Sequence, residues 1–564
     1  MRRRPHYKQR RRGVTRAAFA LSASIVLRIL PASIPFVLIV AATPAFASTT
    51  DASGASTIGA VPPVRPIVFV PLDDRPVTLQ LPQLLGEIAG VPVVTPPRSL
   101  LGSYLIPGSP DAIIGWLNGR SVASKTPEAF VISSDMLVYG GLVASRIPGP
   151  SFADAYFRLR ELRTLRRRDP GAWIAAFGTI MRLAPTGVPA DTRVNGAPYF
   201  AAYPAWTYLQ QYANLPDPPL PSEDATAQTL RAKLGPTLNA YLAVRARNLA
   251  VDRLLLQHAR DGALDALVLG QDDAGPVGLH LRDVAQLQTI VSDDAVAPRA
   301  AIEPGADELG MALVAHALAR TVNWTPHVAV TYSTPSAAAY QDPLEFAPIE
   351  HTIARLITLC GGILDDRAPD IHLAVRVPNT PLADDDAFLT QLQTQTQHAD
   401  AVAFVDLSFE ASYAAQGVFA QRLLETGVAS RLDAYAAWNT TANSVGTALA
   451  EAIAAGAGRR AHRYDALAHR TFTFMRFADD VAFHVDVRPT LNAWLDQRGI
   501  TDHTLLSPLI AAETAERNRA FLWNRAQTLL TQLYPGLHIA AMQIDLPWNR
   551  TFEAAIDVRL APNV

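Results

Sequence analysis

Short, largely apolar runs recur along this chain, each ending in polar residues and most followed by a stretch with helical spacing. The runs at 67–70, 91–95, 129–132, 173–180, 266–269, 300–302, 328–332, 371–377, 401–405 and 432–437 read as strands. Continuous apolar runs of this length suit strands covered on both faces, as in parallel sheets. Strands that alternate with helices predict an α/β fold built on a mainly parallel sheet. Eight of them would close a (β/α)8-type barrel, which is the expectation here; two doubly wound α/β domains are the alternative. The alternation breaks at 187–224, which is rich in proline and aromatic residues, and 226–260 reads as one or two long helices. Residues 187–260 are therefore expected to form an insertion with a helical lid. Beyond 458 the spacing is mainly helical, near 464–477, 487–497 and 511–533, with a strand-like end at 553–560. The expected units are an α/β domain over 67–457 and a mainly helical region over 458–564. No internal repeat is evident.

The polar residues that close the runs form a pattern of their own. They are Asp73, Asp74 and Arg75; Asp135; Arg146 in the turn beyond; Arg182; Gln271, Asp272 and Asp273; Asp307 and Glu308; Asn379; Asp406; and Asn439 with Asn443. Any one of these is more often a cap or turn residue than a functional one. Their recurrence at the carboxyl ends of so many strands is what a ligand site in a parallel α/β fold predicts. The densest cluster is A-L-V-L-G-Q-D-D-A-G-P-V-G at 266–278, where two adjacent carboxylates follow a buried strand.

Composition adds a compartment. With 49% hydrophobic and 18% charged residues the chain can bury a large core. The first 47 residues hold nine lysines and arginines and no acid. The remainder therefore carries a formal charge of −11, nine below the −2 of the whole chain. An acidic body argues against nucleic acid as a partner. The arginine-rich head, the apolar stretch at 29–42 and the A-x-A pattern at Ala45 and Ala47 read as a signal peptide over 1–47, with a linker over 48–66. The expectation is export to the periplasm or cell exterior, with no membrane contact beyond that segment. An uncleaved N-terminal anchor is the alternative. The single cysteine, Cys360, sits in an apolar run and is expected to be buried.

Six of these motifs have a wider likeness. P-L-D-D-R-P, S-S-D-M-L-V-Y-G-G-L-V-A-S-R, M-R-L-A-P-T, G-Q-D-D-A-G-P, P-G-A-D-E-L-G and A-W-N-T-T-A-N-S-V-G together resemble a bacterial family known as domain of unknown function 4127. They span about 67 to 446. The resemblance implies a shared domain and site, and no particular reaction.

The residues themselves suggest a glycosidase-type hydrolase acting on a cell-wall or extracellular carbohydrate. Such chemistry needs a protonated acid at the leaving oxygen and a second group that stabilises an oxocarbenium-like transition state. Asp273 is the expected general acid/base and Asp272 its orienting partner, with the order reversible. The pair also looks like the adjacent acids of substrate-assisted N-acetylhexosaminidases. Asp73, Asp74, Arg75, Asp135, Arg146, Arg182, Gln271, Asp307, Glu308, Asn379, Asn439 and Asn443 are the expected substrate-binding set. Trp438 is either a stacking surface for a pyranose or a core residue. A hydrolase using Mg²⁺, Mn²⁺ or Ca²⁺ on the carboxylates is the alternative, since hard cations prefer oxygen ligands. A periplasmic carbohydrate-binding protein without turnover is the third reading. No dinucleotide or Walker-type glycine motif supports a nucleotide cofactor, and no G-x-S-x-G supports a serine hydrolase.

Overall fold

The apolar runs pair as parallel strands, but into two sheets. A computed structural model describes residues 64–563, apart from 124–126, 184, 195, 217–218, 399–400 and 409–412. The expected signal peptide and almost all of the linker lie outside the described residues. The first sheet contains β1 (Ile67–Val70), β2 (Val93–Val94), β3 (Ala129–Ser133) and β4 (Trp173–Ile180). After a small hairpin, β5 (Arg193–Val194) and β6 (Ala197–Pro198), it continues with β7 (Ala266–Gln271) and β8 (Ala300–Pro304). Its order is β2-β1-β3-β4-β7-β8. The second sheet contains β9 (His327–Tyr332), β10 (Ile363–Leu364), β11 (Ile371–Arg376), β12 (Val402–Asp406) and β13 (Ala434–Ala436), in the order β10-β9-β11-β12-β13. In both, the second strand flanks the first on one side and the later strands follow on the other. An architectural repeat is therefore present that the sequence does not display.

Side-chain alternation assigns the faces. Ile67 and Phe69 of β1 point into the layer between the sheets, while Val68 and Val70 join a second core on the far side. The layer between is made of helices. Leu309–Arg320 lies on β1, β3 and β4, Thr441–Arg460 lies on β12 and β13, and the two pack on each other and on Gln80–Ala89. Helix Thr441–Arg460 is rich in alanine and glycine and buried along most of its length, so it can approach its neighbours closely. At Gly446 an added Cβ would come within 2.6 Å of the Glu308 side chain.

Among the described residues, the pairing is that of the two doubly wound sheets rather than of one eight-stranded ring. β8 is an edge strand of the first sheet, and β9 pairs with β10 and β11 instead. The reason lies in the connecting helix Leu309–Arg320, whose residues are buried on nearly every side. A helix that is apolar all round belongs inside a structure, whereas a barrel helix has one face in water. The described residues fall in one compact unit.

The C-terminal region holds helices Ala466–Phe477, Arg488–Gln497 and Pro508–Leu533, with a π-helical stretch at Ala478–Val487. It ends in an antiparallel hairpin of β14 (Leu537–Asp545) and β15 (Ala555–Pro562). The second strand matches the strand-like end of the sequence. β14 was not expected: its one apolar run, 539–542, is short and follows directly on the last helix. Cys360 is buried, and burial pushes its thiol up.

The shared helical layer sets a stability test. Leu313 is fully buried, so Leu313→Ala should cost about 2–5 kcal/mol in urea unfolding. Leu382→Ala, at a site 72% exposed, should change stability by less than about 0.5 kcal/mol.

Candidate active site

Strands β4, β7 and β8 run in register to a common edge, where Gln271 opposes Ile180 on one side and Pro304 on the other. The residues that follow each strand therefore leave the sheet together: Met181–Arg182, Asp272–Asp273 and Gly305–Glu308. Asp273 takes a left-handed backbone (φ 42), which aspartate tolerates better than most residues. The loop is then tied to the second half of the chain, where Ala274 N donates to Leu344 O at 2.9 Å.

Each aspartate at this edge meets an arginine. Arg146, from the turn after β3, pairs with Asp272. Arg182, after β4, pairs with Asp273 at 2.6 Å. Arg75, after β1, bridges Asp73 at 2.8 Å and Asp307 at 2.5 Å. Asp73 also accepts from Thr78 Oγ1 at 2.6 Å and holds the P-L-D-D-R-P turn closed. Three arginines and four aspartates thus form three neighbouring ion-paired groups along a nearly neutral rim.

Against this rim stands an aromatic wall made by Trp548 of the C-terminal region and Tyr104. Trp548, in a left-handed conformation (φ 61), stacks on Tyr104 with ring centroids 5.1 Å apart. Arg75 and Arg550 lie over its ring at 4.5 and 4.6 Å, and its Nε1 donates to Asp74 at 2.7 Å. Rim and wall enclose a cavity of about 770 Å³, whose lining also includes Trp206, Asp502 and Asn439. Tyr104, Asp273, Asn439 and Trp548 are all non-glycine residues with positive φ. Such strained backbone persists only where surrounding contacts enforce it, and it clusters at functional sites.

Burial tunes the acids. It pushes the Asp272 carboxyl up from its ordinary value, against the opposing pull of Arg146. Behind the cavity it raises Asp135 to about 7, although Thr179 N donates to that carboxylate at 2.9 Å. It raises Glu308 to about 8, although Asn443 Nδ2 donates at 2.6 Å.

Of the residues expected from the sequence, Arg75, Arg146, Arg182, Asp272, Asp273, Asp307 and Asn439 line the cavity. Asp73, Asp74, Glu308 and Asn443 stand behind it as partners of lining or neighbouring groups. Asn443 also completes a capping box with Thr440 at the start of helix Thr441–Arg460. Gln271 and Asp135 are buried beneath the rim, and the Gln271 carboxamide has no partner among the described residues. Asn379 does not line the cavity and follows β11 in the other sheet. Trp438 is a core residue whose Nε1 donates to Thr447 at 3.1 Å. The aromatic wall was missed; its only signal was P-W-N-R at 547–550, outside the strand–helix alternation. Among the described residues no group of three or more histidine, cysteine, aspartate or glutamate side chains is arranged to hold a metal ion.

The chain belongs to the family described as protein of unknown function (DUF4127), whose model matches residues 67–557. No curated protein and no solved structure matches it.

The buried acids give the site a pH signature. A carboxyl raised in the folded state favours folding while protonated, so the stability it gives is complete below about pH 4.5 and is lost as pH rises through its folded value. For Glu308 that window runs from about 4.5 to about 8. Glu308→Gln should therefore gain stability relative to the unsubstituted protein between pH 5 and 8, read as the difference in Tm across that range.

Proposed function

We propose that this member of the DUF4127 family is an exported glycosidase-type hydrolase that takes a carbohydrate of the cell wall or cell exterior into the cavity. The observation that carries this reading is the pair Asp272–Asp273, each braced by a separate arginine and facing the Trp548–Tyr104 wall. Carboxylates and guanidinium groups take up hydroxyls, and the Trp548 ring, itself covered by Tyr104, Arg75 and Arg550, fixes the wall of the cavity rather than offering a free face. The near-neutral rim suits an uncharged polar ligand.

In this reading the roles within the pair are assigned by environment. Asp272, pushed up by burial, is the proton donor. Asp273, held by Arg182, is the anion that stabilises positive charge at the anomeric carbon. The Asp272 O–H protonates the glycosidic oxygen as the C–O bond breaks and its electron pair moves to that oxygen. Water then adds at the anomeric carbon and returns a proton to Asp272. The rim is less suited to a cation, because guanidinium groups already occupy Asp73, Asp272, Asp273 and Asp307. That same completeness of pairing favours carbohydrate binding without turnover as the second reading.

The test is a panel of nitrophenyl glycosides with the mature protein, with and without EDTA, beside folded Asp272→Asn and Asp273→Asn variants. The expected result is hydrolysis that survives EDTA and, for alkyl glycosides run beside the nitrophenyl panel, falls about 10²- to 10⁴-fold in Asp272→Asn, because an alkoxide leaving group needs the proton and a nitrophenolate does not. Full activity in both variants would sink the assignment, and loss in EDTA would move it to a metal. Binding by calorimetry without any hydrolysis would establish the second reading.

A further inference from the structure

Helix Pro236–Arg260 belongs to the stretch that interrupts the strand–helix alternation, and none of its residues lines the cavity. Arg245 on this helix is 1% exposed. Its Nη2 donates to Met181 O at 2.8 Å, and its Nη1 donates to Arg182 O and to the Tyr241 hydroxyl, both at 2.9 Å. The Tyr241 hydroxyl in turn donates to Leu183 O. Three successive carbonyls centred on Arg182 are thereby held from one helix. The Nε of Arg245 pairs with Asp283 at 2.8 Å. Asp283 lies on helix His280–Val291, which follows the acid loop, so the same arginine anchors that loop's far end.

Two residues further on, the helix does the same for the other arginine. Arg247 Nη2 donates to Ser145 O at 2.7 Å, and Asn248 Nδ2 donates to the same oxygen at 2.9 Å. Arg247 Nη1 reaches Ile147 O at 3.3 Å. Ser145 and Ile147 flank Arg146. Arg247 also lies over the Tyr139 ring at 4.4 Å, within the turn that leads to Arg146.

We infer that Arg245 and the Arg247–Asn248 pair are positioning residues. One helix fixes the backbone under Arg182 and Arg146, and through those two arginines it orients Asp273 and Asp272. The geometry explains why arginine is used. A guanidinium offers five donors in a fixed fork, enough to satisfy several strand-end carbonyls and a carboxylate at once, whereas lysine offers three from a single point. Carbonyls beyond a strand end have no ladder partner, and buried ones must be paired elsewhere. The helical excursion is thus part of the site's framework.

The inference concerns the site whichever chemistry it serves, so its test reads side-chain accessibility and not turnover. The folded protein and its Arg245→Lys and Arg247→Met/Asn248→Ala variants are treated with phenylglyoxal, and modification of each arginine is followed by peptide mass spectrometry. The buried Arg376 and Arg476, in other parts of the fold, serve as references. Arg245→Lys keeps a positive charge opposite Asp283 and so protects the fold. It should raise modification of Arg182 roughly tenfold over the references while leaving Arg146 unchanged. Arg247→Met/Asn248→Ala should raise Arg146 by a similar factor and leave Arg182 unchanged. An equal rise at all four arginines would mean general loosening and would overturn the inference. So would protection of both arginines in both variants.

Discussion

A guanidinium or a carboxylate taken out of water alone loses several kcal/mol of hydration, and the loss is offset only if the two meet in good geometry. This chain buries many such groups, and their pairing ties distant segments together. Arg75 joins the loop after β1 to Asp307 after β8, Arg146 joins the turn after β3 to Asp272 after β7, and Arg245 joins the inserted helix to Asp283. Arg376 does the same in the second sheet with Asp385 and Asp406, whereas Arg476 pairs locally with Asp479 and Asp480 along its own helical stretch. Apolar packing stacks the sheets and helices, but the loops at the strand ends are polar and cannot be fixed that way. Removing one partner strands the other in a low dielectric, so each pair specifies a position as well as contributing to it.

The two sheets divide the work. The first supplies the arginines and acids at its carboxyl edge, and the second closes the cavity with Pro343, Leu344 and Asn439. Both share the same strand order, so each has a point where successive strands diverge, between β1 and β3 and between β9 and β11. Crevices form outside the strand ends at such points. The rim of the cavity extends from the first of them, at Arg75, along the edge to Asp307. At the second, Arg376 is enclosed by Asp385, Asp406 and Ser408. At the first edge the arginines and acids line an open cavity, while at the second Arg376 and its acids are taken up by one another.

Much of this was legible in the chain. Strands buried on both faces announce themselves as unbroken apolar runs, and Trp173–Ile180 agrees with the pattern to the residue. The polar residues at strand ends were legible for the same reason, because they interrupt those runs. What periodicity could not show was how the strands divide between sheets. That depends on helix Leu309–Arg320 being buried on all sides, and a 12-residue apolar helix reads the same in a barrel or between two layers. Nor could it show Trp548 and Arg550, which reach the cavity from a hairpin more than 270 residues beyond Asp273. Asn443 and Asp73 show the opposite confusion. Both look like ligand-binding residues in sequence, and both are occupied by capping or turn bonds.

Charge pairing also governs what the acids can do. An unpaired buried aspartate would be protonated outright, and an exposed one beside arginine would stay ionised at any ordinary pH. Asp272 lies between these limits, with burial pushing its proton affinity up and Arg146 pulling it down. Its balance is therefore sensitive to small displacements of Arg146, since at short range the ion-pair term rises steeply as the local dielectric falls. A carboxyl whose proton affinity is set by two opposing influences keeps it only if the geometry behind them is held. The carbonyls of Ser145 and Ile147, clamped by Arg247 and Asn248, hold that geometry from a helix that never touches the cavity. The tuning of the acid and the rigidity of the inserted helix are in this sense one requirement.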